Sequence, residues 1–199
     1  MKPLIWRLPF LSQKGERGST PPPKDALRTG RPLPRSAIRW LGPQGKIALR
    51  PFEWQTDADQ ICQWQLETYS INFPSFRFTP EFANAFRHDL RRATLDGQHG
   101  LFVLDDGPSG GDTCGFLWLV LCVNSWTGER YGYVNNIYVM PDKRGLHLAE
   151  ELLKHGETWF RSRRVNRMRL TVTASNASAL HLYERTGYKT ERFEMEKEI

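Results

Sequence analysis

The 199-residue chain has only three cysteines, Cys62, Cys114 and Cys122, widely spaced and odd in number. That excludes a disulfide scaffold and a cysteine-only zinc site, and it fits a reducing compartment. No apolar run approaches the roughly 18 residues of a membrane span, so an integral helical membrane protein is not expected. His88, His99 and His155 have no partners at metal-ligand spacing, so they read as surface or core histidines and no metal is expected. An even excess of charge is also missing. The net charge is +6, but residues 1–40 carry nine Lys/Arg against two Asp/Glu, and the remainder carries nineteen against twenty. A nearly neutral body argues against a globular nucleic-acid reader with a broad basic face.

What is present divides in two. Residues 1–45 read as a basic, proline-rich flexible arm, holding seven of the thirteen prolines by residue 40, with Pro21-Pro22-Pro23 among them. Pro3, Arg7 and Pro9 break any signal-peptide core. An Arg-rich, acid-poor transit peptide or an arm docking on RNA or an acidic surface are the functional alternatives to a plain linker. The expected location is cytoplasmic, or an organelle stroma if the arm is a transit peptide. Residues 46–199 read as one folded domain.

Within that domain a strand is expected at 47–50, stopped by Pro51. Asp57, with Gln60 three residues on, reads as the N-cap of a first helix bearing Ala58, Cys62, Leu66 and Tyr69 at helical spacing. An aromatic loop follows, with Phe73, Pro74, Phe76, Arg77 and Phe78. Thr79-Pro80 is a cap followed by proline at the first helical position, opening a second helix with Phe82, Phe86, Leu90 and Ala93 on its buried stripe. Strands are expected at 100–104, 114–123 and 131–139. The middle one, CGFLWLVLCV, is apolar throughout and reads as buried on both faces. A helix beginning near Gly145, a strand at 167–174, a short helix at 178–186 closed by Gly187, and a last strand at 188–197 complete the order. The class is α/β: a mixed central sheet with helices on both faces.

The chemistry concentrates in residues 136–188. A strand, NNIYV, feeds a loop, Pro141-Asp142-Lys143-Arg144-Gly145, that enters a helix. The first N–H groups of a helix lack internal partners, and its dipole places partial positive charge there, so the junction suits an anion such as pyrophosphate. Lys143 and Arg144 add cationic side chains.

The string V-x-P-x-x-R-G-x-x-x-A over 139–149, followed by N-A-S-A-x-x-L-Y-E-x-x-G-Y over 176–188, resembles the GNAT superfamily of acyl-CoA-dependent N-acetyltransferases. ASNASA looks most like the group that acetylates the N-terminal alanine of ribosomal proteins. The resemblance covers about 46–199. It implies the GNAT fold, with a splayed strand pair holding acetyl-CoA as cosubstrate.

It further implies that the backbone N–H groups of Arg144, Gly145, Leu146, His147, Leu148 and Ala149 cradle the pyrophosphate. The strand edge at Ile137, Tyr138 and Val139 would pair with the pantetheine arm, and Asn176 would bond that arm. Tyr183 would stand near the thioester sulfur as the catalytic residue. The amine acceptor would be a protein or peptide amine, with a small-molecule amine or a catalytically weak acyl-CoA-binding module as alternatives. A homodimer is compatible with the family. Two positions depart from its pattern. His147 stands where glycine is usual, and Thr171 stands where the N-terminal alanine group has a glutamate base. Glu67, Glu129 and His181 are then the nearest alternative bases. A site without a strong base suits an amine of low pKa.

Overall fold

The computed structural model describes residues 39–41, 46–73, 77–107, 111–195 and 197. The arm expected over 1–45 therefore lies largely outside the described residues. Its exception is Arg39–Leu41, which forms a strand, β1, antiparallel to β2 (Ile47–Pro51). The folded part thus starts earlier than residue 46. Charge and proline content dominate the composition of that stretch and hide the short pattern RWL.

Helices α1 (Trp54–Asn72) and α2 (Pro80–Leu95) follow. The second is capped as its sequence predicts, with the Thr79 hydroxyl accepting from the Phe82 N–H at 3.2 Å. The first is not. Its N-cap is Glu53, and Asp57 lies inside the first turn, reaching back to accept the Glu53 N–H at 2.7 Å. Asp57 is fully buried because Arg50 requires it. The Arg50 guanidinium donates to both Asp57 oxygens, at 2.8 and 2.9 Å, and to both oxygens of Asp105. Burial draws the pKa of Arg50 down, but the two carboxylates outweigh it and hold the group above its ordinary value. This ion cluster ties α1 to β2 and to β3 (His99–Asp106).

Strands β4 (Thr113–Val123) and β5 (Arg130–Val139) form a hairpin, and a 3-10 turn at Pro141–Lys143 leads to α3 (Leu148–Arg161). Short β6 (Met168–Arg169) and α4 (Ala177–Arg185) follow. The six strands lie in chain order, all neighbours antiparallel except β5 and β6, which are parallel. β4 is buried on both faces, as its apolar run predicts. Phe116, Trp118 and Val120 pack under α1 and α2 with Ile61, Trp64 and Leu90. Leu117 and Leu119 pack against α3 with Leu152, Leu153 and Phe160. Each such side chain contributes about 1.5–3 kcal/mol by leaving water.

Two expected strands change. The one expected over 167–174 is only Met168–Arg169, and residues 188–195 form no strand. The second has an alternating pattern, but a strand needs a partner's hydrogen bonds, and β6 offers a ladder of two residues.

Candidate active site

β5 is the strand on which the site is built. It pairs with β4 along its length, but with β6 only at Gly132–Met168 and Tyr133–Arg169. Beyond Tyr133 its second edge has no strand partner among the described residues. The register against β4 jumps between Trp118–Asn136 and Leu119–Val134, so Asn135 is the extra residue of a β-bulge. A bulge bends its strand and sharpens the local twist. Here it falls just where β5 and β6 part. It also resets which face each side chain takes. Tyr133 and Tyr138 pack toward α1, while Val134, Ile137 and Val139 pack toward α3.

The α1 face carries polar contacts. Asn136 donates its amide to Gln65, the Tyr138 ring stacks on Trp64 at 5.0 Å, and the Tyr138 hydroxyl donates to Glu67 at 3.2 Å. Across the opening between β5 and β6, the Tyr133 hydroxyl donates to the Thr171 hydroxyl at 3.1 Å. Burial raises the pKa of Tyr133, as it does for Tyr69 on α1 and Tyr183 on α4, the last to about 12. The Tyr183 ring packs on Tyr188 with centroids 5.6 Å apart, and no described residue hydrogen-bonds its hydroxyl.

The end of β5 leads into the loop before α3. Gly145 (φ 79°) and His147 (φ 58°) both have left-handed backbone. Glycine takes that conformation freely and other residues at a cost, which is the physical reason a glycine suits position 147. His147 is the N-cap of α3, and its imidazole contacts Glu150 at 2.8 Å instead of capping the backbone. Glycine at 147 removes a left-handed strain of about 1–2 kcal/mol and a surface contact of at most about 1 kcal/mol. His147→Gly is therefore expected to raise the urea midpoint of unfolding, with a net gain of up to about 1 kcal/mol.

No described acceptor takes the N–H groups of Gly145, Leu146, His147, Leu148, Ala149 or Glu150. Arg144 differs from expectation: its N–H donates to the Pro141 carbonyl at 3.3 Å, so it is not part of a free cradle. Its side chain instead bonds the Val139 carbonyl at 3.1 Å and fixes the end of β5. Lys143 is also engaged, by Asp106 and by Asp142 at 3.6 Å. An unpaired strand edge running into a row of unpartnered N–H groups fits a long ligand with an anionic end.

Asn176 caps α4, its side chain accepting from the Ala179 N–H at 3.1 Å, and its amide reaches Asn72 of α1 at 3.5 Å. Of the candidate bases, only Glu67 touches the open stretch of β5, through Tyr138. Glu129 pairs with Arg167 at 3.1 Å in the hairpin, and His181 is exposed on α4. Part of the aromatic loop after α1, residues 74–76, lies outside the described residues. The bulge at Asn135 and the pairs Gln65–Asn136 and Tyr133–Thr171 escaped sequence reasoning. The dipeptide Asn135-Asn136, poor strand formers inside a strand, is the signal that could have marked the bulge.

Residues 58–188 match the acetyltransferase (GNAT) family. The chain belongs to that family. It is 25% identical over 173 residues to mycothiol acetyltransferase of Rhodococcus jostii, covering 85% of this chain and 54% of that protein. The chain thus spans about half the length of this relative. An acetyl transferase structure from Pyrococcus furiosus superposes with TM-score 0.60 at 25% identity, over 76% of this chain and 99% of that one. A Clostridium acetobutylicum acetyltransferase solved with acetyl-CoA superposes with TM-score 0.62 at 12% identity, covering 76% and 96% of the two chains, a likeness of fold alone. The architecture is the GNAT fold, and GNAT proteins use acetyl-CoA, which suits the open edge and the N–H cradle. Among the described residues, no His, Cys, Asp and Glu side chains group as a metal site, and no helix is long and apolar enough to cross a membrane.

Proposed function

We propose that the protein transfers the acetyl group of acetyl-CoA to a primary amine of low basicity on a small molecule. The observation that carries this reading is the parting of β5 from β6 at the Asn135 bulge, with the freed edge leading into the unpartnered N–H groups before α3. In this reading the N–H groups from Gly145 to Ala149 hold the pyrophosphate. The main chain of Ile137, Tyr138 and Val139 aligns the pantetheine arm, whose amides need partners of the kind a strand edge offers. A main-chain N–H of β5 beside the bulge stabilises the developing oxyanion. The Tyr183 hydroxyl, without a partner among the described residues, donates to the departing sulfur.

The acceptor must lose a proton before it attacks. At pH 7 that costs about 4.6 kcal/mol for an amine of pKa about 10.4, and about 1.1 kcal/mol for one of pKa about 7.8. Tyr133 and Thr171, which meet across the opening, are not ionised at neutral pH, burial holds Tyr69 and Tyr183 neutral as well, and Glu67 is engaged by Tyr138. Such a site favours the second kind of amine. Mycothiol acetyltransferase, by its name, acts on a small molecule, which supports a small acceptor. A peptide N-terminus is the second reading, favoured by the ASNASA string. Much of that string is explained locally, however, since Asn176 is spent as the cap of α4.

An acceptor screen with acetyl-CoA, read by free-thiol release and by mass spectrometry of the acetylated product, tests the proposal. Amino sugars and amino-acid amides should turn over faster than alkyl diamines or lysine side chains. Preferred turnover of a lysine side chain would overturn the low-basicity reading. Preferred turnover of a peptide N-terminus would leave that reading standing and overturn the small-molecule one.

A further inference from the structure

The loop before α3 has a second charged layer. Glu150, in the first turn of α3, accepts on one oxygen, Oε1, from both His147 Nδ1 and Arg185 Nη2. Arg185 lies in the last turn of α4, so the contact ties the end of α4 to the N-terminus of α3. His147 first, then Arg185, hold the Glu150 carboxyl below the ordinary range, so it is ionised at neutral pH. An ionised carboxylate at a helix N-terminus is locally favourable. It is unfavourable beside an incoming phosphate, unless a cation stands between them.

Arg185 is that cation. Its side chain is about half exposed, and only Nη2 is used: Nε and Nη1 have no described partner. A guanidinium presents five N–H donors in a rigid fork, so one edge can stay on a carboxylate while another takes a phosphate oxygen. Lys143 is occupied by Asp106 and Asp142, whereas Arg144 spends only its Nε, on the Val139 carbonyl, and has no contact with Glu150 among the described residues.

We propose that Arg185, held in place by Glu150, is a ligand for the phosphate groups of the acyl-CoA cosubstrate and shields them from the Glu150 carboxylate. This inference rests on the reading of the loop before α3 as the cofactor cradle. Arg185 is supplied from α4, so the end of α4 and the start of α3 close on the phosphates together.

The test is calorimetric titration of the full chain and of Arg185→Gln with CoA and with dephospho-CoA, alongside an NMR shift titration with pantetheine, which has no phosphate. Loss of a charge-assisted bond and exposure of Glu150 together should weaken CoA about tenfold or more in the variant. Pantetheine binding and the melting temperature should hardly change. An equal loss with dephospho-CoA assigns Arg185 to the pyrophosphate, and a loss confined to CoA assigns it to the 3′-phosphate. Either supports the proposal. The wild-type affinity for CoA should also fall more steeply with added salt than that of Arg185→Gln.

Unchanged CoA affinity in the variant overturns the proposal, as does a loss that pantetheine shares equally. Failure of the wild-type chain to bind CoA at all overturns the reading of the cradle itself, a distinguishable result. Glu150→Gln provides the second variant. The Gln amide oxygen can still accept from Arg185 while the repulsion is removed, so this variant should bind CoA at least as tightly as wild type. A tenfold weakening there would overturn the shielding role, since the cofactor would then bind better beside the carboxylate than without it.

Discussion

Tyr183→Phe is expected to lower kcat about 10²–10³-fold while leaving the KM for acetyl-CoA and the melting temperature nearly unchanged, the loss typical of one hydrogen-bond donor to developing charge. Burial pushes the Tyr183 pKa to about 12. A thiolate of pKa about 8.5 would therefore take its proton against a gradient of more than three units, at about 1.4 kcal/mol each. The useful form is the neutral hydroxyl, which donates a hydrogen bond as charge builds on sulfur and completes the transfer late. Two results follow for pH. Tyr183 stays protonated over the whole working range, so its ionisation should not limit kcat below about pH 11. Its raised folded pKa stabilises the fold fully below the ordinary tyrosine value near 10, and this contribution is lost as pH rises toward 12. A pH–rate profile and single-turnover kinetics of the variant check both points. An unchanged kcat in Tyr183→Phe would remove Tyr183 from the chemistry and leave it a packing residue against Tyr188.

The second large effect belongs to stability. Arg50→Met should destabilise the protein by about 3–5 kcal/mol, the usual result of removing one partner from a buried ion cluster. Asp57 is fully buried and Asp105 nearly so, and both carboxylates take their charge balance from this one guanidinium. For a chain of this length the loss is on the order of 10–15 °C in melting temperature, measurable by circular dichroism. Arg50→Lys should recover little, because a point charge cannot fork between two carboxylates. The triple variant Arg50→Met with Asp57→Asn and Asp105→Asn should recover much of the loss, since no uncompensated charge remains. If Arg50→Met alone melts like wild type, the cluster does not stabilise the fold. The cluster matters to the site through α1, which carries Gln65, Glu67 and Tyr69 to β5.

The two effects differ in how far the sequence foretold them. The helix that carries Tyr183 was legible, because a short helix opened by Asn176 and closed by Gly187 is written in local chemistry, as is the capping of α2 by Thr79-Pro80, whereas the role proposed for Tyr183 came from the family resemblance. These signals act within one turn of backbone. Asp57 was legible as a residue near a helix start but not as a buried ion. Its ion partner, Arg50, comes from β2 and is shared with Asp105 of β3, and nothing in the local sequence around Asp57 announces that cluster.

Local patterns determined the elements and most of their order: an apolar run for β4, helical periodicity for α1 to α3, the loop of Gly145 feeding α3. The residues of the proposed cradle came from the family resemblance, and folding left the N–H groups of Gly145 to Ala149 without described acceptors while pairing that of Arg144. Tertiary structure decided the rest. The last strand failed because pairing is a property of two segments, and β6 gave the 188–195 segment almost nothing to pair with. The bulge at Asn135 exists only in the register of β5 against β4, and that bulge opens the edge on which the site depends. Which cations remain available to a phosphate was settled the same way. Lys143 was consumed by carboxylates that folding brought to it and Arg144 was turned through its Nε to the Val139 carbonyl, whereas Arg185, far along the chain, was delivered to Glu150 at the start of α3. Short-range geometry writes itself into sequence because it costs one or two dihedral choices. The competition among charges does not, because it is resolved only when distant elements meet.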